Sequence, residues 1–226
     1  MGRPSSRINR GKPVRAGQNA GEMKNIVSAA KIWLVWLLIC AVAAAVSFAR
    51  LDLPMARLIY PLFDRLNSLG AGLGSAALLS IEAGAVLTLV MIRITRGHLS
   101  PHGEALGLAC LTSICAYALN AGVFKLVFGV PNPTEVLQGA RHTFDFFHGS
   151  IDSSFPSGHM VLAGGFAGVF MRLYRTCVPL LSGLLVAAAA LMVLGDWHFV
   201  SDVIAGGFIG VSAGLLAGEL WTVHSS

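Results

Sequence analysis

Apolar residues in this chain cluster over tens of positions rather than at every second or third one. Six apolar runs stand out, at about 32–49, 69–94, 105–124, 159–172, 178–194 and 203–223. About 20 apolar residues make a helix long enough to cross a bilayer, and a helix satisfies its own backbone hydrogen bonds there. The pattern therefore predicts an all-α polytopic membrane protein, a bundle of six transmembrane helices in one domain, residues 25–226. Residues 1–24 are rich in Arg, Gly, Pro, Ser and Asn, lack apolar periodicity and are expected to be a disordered tail. Between the first two runs, Leu58, Ile59, Leu62 and Phe63 suggest a segment lying at the membrane interface, punctuated by Pro54 and Pro61. Residues 129–157 read as a polar loop carrying Pro131, Pro133, Gly139 and several aromatic residues.

Composition agrees: 55% of the 226 residues are hydrophobic and only 12% charged, against about 25% charged in soluble domains. The net charge of +5 is no nucleic-acid surface, because Arg3, Arg7, Arg10, Lys12, Arg15 and Lys24 share one tail and no Lys or Arg follows Arg175. Six spans put both termini on one side, together with the tail, Arg93/Arg96 and Arg172/Arg175. The positive-inside rule makes that side cytoplasmic, against a weaker contrary signal from Arg50, Arg57 and Arg65. Lys125, the following loop and His198 then emerge together on the extracytoplasmic face. Small size and short loops suggest a bacterial inner membrane, with that face toward the periplasm; a eukaryotic endomembrane is the alternative. Nothing at the N-terminus reads as a cleaved signal peptide. Cys40, Cys110, Cys115 and Cys177 have no metal-site spacing and read as small apolar residues. Glu82 lies inside the second run, where a carboxylate is either functional or bonded to a neighbouring helix; its remoteness from any motif favours the bond.

The chemistry sits where runs meet water. Phe155-Pro156-Ser157-Gly158-His159 precedes one run and His198-Phe199-Val200-Ser201-Asp202 precedes another. If a helix starts at the second fragment, His198 and Asp202 share a face, and the carboxylate can fix the tautomer of the imidazole, leaving one ring nitrogen free to attack. A second imidazole, His159, is available to protonate a leaving group. Ser157 and Gly158 precede a helix start, whose amides and dipole favour an anion.

Pro156-Ser157-Gly158-His159 and His198-x-x-x-Asp202 resemble the second and third signature motifs of the type 2 phosphatidic acid phosphatase (PAP2) superfamily. That family's first motif, Lys-x6-Arg-Pro, is matched by Lys125 and, at the same spacing, Asn132-Pro133. Asn132 thus stands in place of one signature arginine, and Leu191-Met192 in place of the Ser-Arg that opens the third motif. The resemblance implies a nucleophile at His198, oriented by Asp202, a general acid at His159, and phosphate binding by Lys125, Ser157, Gly158 and Asn132. It implies no cofactor. Arginine gives bidentate bonds to phosphate that Asn and Met cannot. Arg141, alone among Lys and Arg in the 129–157 loop, is the proposed substitute, ahead of His142 and His148. Glu135, Asp145, Asp152 and Asp196 also make the region acidic, so a cation held near Asp196, His198 and Asp202 is the alternative source of charge. The implied activity is hydrolysis of a lipid phosphate or diphosphate at the extracytoplasmic face through phosphohistidine. Transfer of the phosphate to another lipid, or binding without catalysis, stays open. The expected partners are a phosphorylated lipid and the bilayer, with no nucleic acid.

Overall fold

The computed structural model describes residues 16–67 and 71–224. Most of the basic tail, and the side chains of Lys24, Leu62, Phe63 and Arg65, lie outside the described residues. The chain divides into two compact units, residues 1–39 and 40–226. Only the second carries the motifs.

Helices α1 (Ala16–Arg50), α2 (Asp52–Asn67), α3 (Ala71–Arg96) and α4 (Pro101–Leu119) come first. After α4 follow a π-helical turn, Asn120–Phe124, and then α5 (Lys125–Phe128), α6 (Pro133–Leu137), α7 (Gly158–Leu173), α8 (Val178–Leu194) and α9 (Val200–His224). Five helical stretches are long and apolar enough to cross a membrane, and α7 is a shorter apolar helix. The architecture is the expected all-α membrane bundle, and α8 has the expected bounds. Two boundaries differ. Residues 16–24, expected to be irregular, are helical in α1: once the apolar stretch has nucleated a helix, extending it costs little. The third run does not stop at Lys125 but passes through the π turn into α5. The segment expected at the interface is helical, α2, with Ala56 and Ile59 buried and Leu58 exposed.

At 16 residues, α7 is about 24 Å long, less than the roughly 30 Å hydrocarbon core. It tolerates this because protein rather than lipid surrounds it: Val161, Leu162 and Val169 are inaccessible. Its closest neighbour is α9, which turns Gly206, Gly210, Gly214 and Gly218 toward it at four-residue intervals. A Cβ on Gly210 would lie 2.5 Å from the Val161 carbonyl oxygen, and one on Gly214 2.4 Å from that of Gly165. Small residues that let two backbones touch are the usual adhesive between helices in lipid, where apolar burial offers no net drive. Peripheral α3 and α8 instead expose Ile81, Leu87, Leu184 and Val186, as lipid-facing helices should. Glu82 (8% exposed) accepts from Ser113 Oγ at 2.9 Å, so it ties α3 to α4, the bonded alternative expected for it.

Candidate active site

The crossing of α7 and α9 sets two helix starts side by side. At the start of α7, Ser157 caps the helix, its Oγ accepting from Met160 N–H at 3.4 Å. At the start of α9, Phe199 N–H donates to Asp202 Oδ2 at 2.9 Å, the back-bond of a capping box. The two turns are joined directly: Ser157 N–H donates to the Asp202 carbonyl at 3.1 Å.

His198 precedes α9 rather than lying within it, yet the expected pairing forms, with Nδ1 3.4 Å from Asp202 Oδ2. Ser154 donates its hydroxyl to the same carboxylate oxygen and lies 3.3 Å from His198 Nδ1. Asp202 is fully buried, so its charge is not diluted by water. With Nδ1 turned to the carboxylate, His198 Nε2 faces His159 Nδ1 at 3.3 Å. The far nitrogen of His159 meets Ser75 Oγ at 2.9 Å. A continuous line of polar contacts thus runs Asp202, His198, His159, Ser75.

These two rings open on a cavity of about 490 Å³, which Lys125, Asn132 and Gly158 also line. Lys125 is placed by the π turn just before it and by the loop laid back over α5: Asp145, Phe147 and Gly149 N–H groups donate to Phe128, Val127 and Leu126 carbonyls. Its ammonium donates to the Ile151 carbonyl at 3.1 Å. The same loop buries Phe155 against Phe128 and Phe144, which sets the approach to the Ser157 turn. Asn120, inside the π turn and fully buried, donates to the Pro156 carbonyl at 3.1 Å.

Five of the eight site residues expected from sequence therefore line one cavity: Lys125, Asn132, Gly158, His159 and His198. Asp202 and Ser157 stand directly behind it. Ser157 is inaccessible and its N–H is engaged by Asp202, so the outward amides of this helix start are those of Gly158 and His159. Arg141, expected to supplement the charge of Lys125, is exposed and is not among the cavity-lining residues. The two positions without arginine serve other ends. Asn132 caps α6, its Oδ1 accepting from Glu135 N–H at 2.9 Å while its own N–H donates to Glu135 Oε2 at 3.0 Å. Met192 is buried against Met160 and Val203, and Leu191 is exposed. Among the described residues, no group of His, Cys, Asp and Glu has the arrangement to hold a metal ion.

Ser75 and Tyr117 had no signal in the sequence, since each reaches the site from a distant element, while Ser154 and Trp197 flank the two motifs but match neither. The Asn132-Pro133-Thr134-Glu135 cap was legible as N-cap, proline and capping-box glutamate. A second buried cluster also went unseen. Asp52, at the start of α2, accepts from Ser201 N–H at 3.1 Å and from Ser201 Oγ, and lies 3.5 Å from His142 Nε2.

Comparison with known proteins adds one match. The family model described as the PAP2 superfamily covers residues 105–223, more than half of the chain. Searches of curated proteins and of solved structures find no match.

Proposed function

The chain belongs to the PAP2 superfamily, and from that premise we propose that it is an integral membrane phosphatase acting on a lipid phosphate or lipid diphosphate at the extracytoplasmic face. Membership supports phosphatase-type chemistry in general. The observation that carries the finer reading is the pairing of His198: one ring nitrogen on a buried carboxylate, the other directed to a cavity and a second histidine. A protein that only bound phosphate would have no use for an oriented nucleophile.

In this reading His198 Nε2 attacks phosphorus. The N–P bond forms as the P–O bond to the lipid breaks, and His159 gives its proton to the departing oxygen. Water then attacks phosphorus, His159 takes the water's proton, and the N–P bond breaks to free inorganic phosphate. Asp202 and Ser154 hold the ring of His198 throughout. The two imidazoles must part first: an attack distance of about 3 Å and a proton-transfer contact of about 3 Å do not fit within the observed 3.3 Å. Lys125 and the amides of Gly158 and His159 face the phosphoryl oxygens, where positioning and charge supply most of the catalysis. Helix starts at the membrane surface meet a lipid head group without extracting it.

The test is phosphate release by purified protein in detergent from a panel of lipid monophosphates and diphosphates, with and without chelator, beside His198→Ala. Release that vanishes in the variant and ignores chelator is expected. Release unchanged in His198→Ala would reject the assignment. Release that appears only when an acceptor lipid is supplied would replace hydrolysis by phosphotransfer.

A further inference from the structure

A phosphate site should be rich in positive charge, and this cavity is not. Lys125 is the only Lys or Arg that lines it among the described residues, against three carboxylates, Glu135, Asp152 and Asp196. The site is therefore poor at holding a phosphate dianion alone, yet it keeps the nucleophile, its carboxylate and the second histidine.

Asp196 carries the argument further. It sits at the turn between α8 and α9 with 3% of its surface exposed, and its Oδ2 is buried without a hydrogen-bond partner. A buried carboxylate oxygen left unbonded costs free energy unless a ligand satisfies it. Its neighbour Trp197 lines the same cavity with a buried, unpartnered Nε1–H, a donor that suits a phosphate oxygen and not an ammonium. A buried carboxylate oxygen without a partner, on the wall of a cavity, is the chemistry that recognises an alkylammonium, by charge-assisted hydrogen bonds.

We propose that the substrate carries a protonated amine close to its phosphate, with Asp196 as the principal partner of the amine and Glu135 and Asp152 adding to the acidic field. The inference rests on the hydrolase reading of this cavity and narrows its substrate class to amine-bearing lipid phosphates. It also accounts for the absent arginines: a substrate whose phosphate is half neutralised by its own ammonium needs less positive charge from the protein. Burial pushes the Asp196 carboxyl up to about 6, so it is still mostly ionised at neutral pH and presents a charge to be matched.

The probes are a long-chain 2-amino-alcohol phosphate and its N-acetyl derivative, which share chain and phosphate and differ in the ammonium. Affinity and phosphate release are measured for the full protein in detergent, for wild type, Asp196→Asn and Asp152→Asn. Wild type should bind the amine form about tenfold tighter or more, the effect of one charge-assisted bond. Asp196→Asn should bring the ratio close to one. Asp152→Asn, a change at an exposed residue and so safe for folding, should lower the ratio by a smaller factor. Equal affinity for the two probes in wild type overturns the inference, and so does a ratio that neither variant lowers. Restoration of N-acetyl-probe binding by added magnesium, and its loss with chelator, would also overturn it by making the cation a metal ion. Release from both probes at equal rates, lost in His198→Ala, would leave the hydrolase standing without the amine. A binding preference with no release from either would keep the amine and remove the hydrolase.

Discussion

The first turn of α9 is gripped by two aspartates, and the two grips look alike. Asp202 takes the N–H of Phe199 and stands 3.4 Å from His198. Asp52 takes the N–H of Ser201 and stands 3.5 Å from His142. Both carboxylates are buried. The difference lies around the imidazoles. His198 has its second nitrogen on the cavity side, against His159. His142 is closed in, stacked on Phe48 with ring centroids 4.1 Å apart and tilted on Phe199 at 4.5 Å. A histidine–aspartate pair is thus no sign of catalysis by itself. Access to the second ring nitrogen is what would separate a nucleophile from a brace, and the brace here holds the helix turn on which the carboxylate beside His198 is mounted.

Substitutions can break this comparison, the largest effect coming first. His198→Ala should lower phosphate release by about 10³-fold or more, because the proposed nucleophile is gone. His142→Ala should keep roughly a tenth of wild-type release, since it disturbs position only. Equal losses in a release assay would erase the distinction. Next come the carboxylates. Asp202→Asn should reduce kcat by about 10²–10³-fold, through a misoriented ring. Asp52→Asn should reduce kcat by about tenfold with KM unchanged, while destabilising the fold by about 1–3 kcal/mol as its buried bonds weaken. Steady-state kinetics set beside thermal unfolding separates the two; a KM effect at Asp52 would place it in the site rather than behind it.

The smallest effect concerns Asp196, a third aspartate near the same turn that has no histidine to pair with. Burial raises its carboxyl to about 6, whereas an aspartate in an unfolded chain titrates near 4. The folded protein therefore holds this proton more tightly. Below pH about 4 the group costs nothing in charge burial, and the cost grows as pH rises through about 6. Without ligand, Asp196→Asn should raise the unfolding temperature by a few degrees above pH 7 and leave it unchanged near pH 4. A gain that persists at pH 4 would trace to packing and not to charge.

What the sequence disclosed depends on how far apart the interacting residues lie. The six apolar runs are local signals and gave the bundle, down to the bounds of α8. The His198–Asp202 pairing spans four positions and was legible as well. Ser201 and Asp52 are 149 positions apart, and no spacing rule reaches that far. Ser154 joins Asp202 across 48 positions for the same reason. The glycines of α9 carried no reading from sequence, because their meaning required knowing that α7 lies against them. Arg141 shows the opposite failure. It was chosen because the loop offers no other Lys or Arg, and a sole candidate in sequence has no obligation to point inward. The Asn132 position was read as an arginine lost, when its neighbours also spelled out a helix cap.

The central claim is that His198 carries the phosphoryl group in a site without signature arginines. The most direct measurement is to mix the protein with a radiolabelled lipid phosphate, quench within the first turnovers, and ask whether label stays on the chain. The account predicts a phosphoprotein stable to alkali and labile to acid, as a phosphoramidate is, present in wild type and absent in His198→Ala. Lipid dephosphorylated at full rate with no such species at early times, or the same species in His198→Ala, would contradict it.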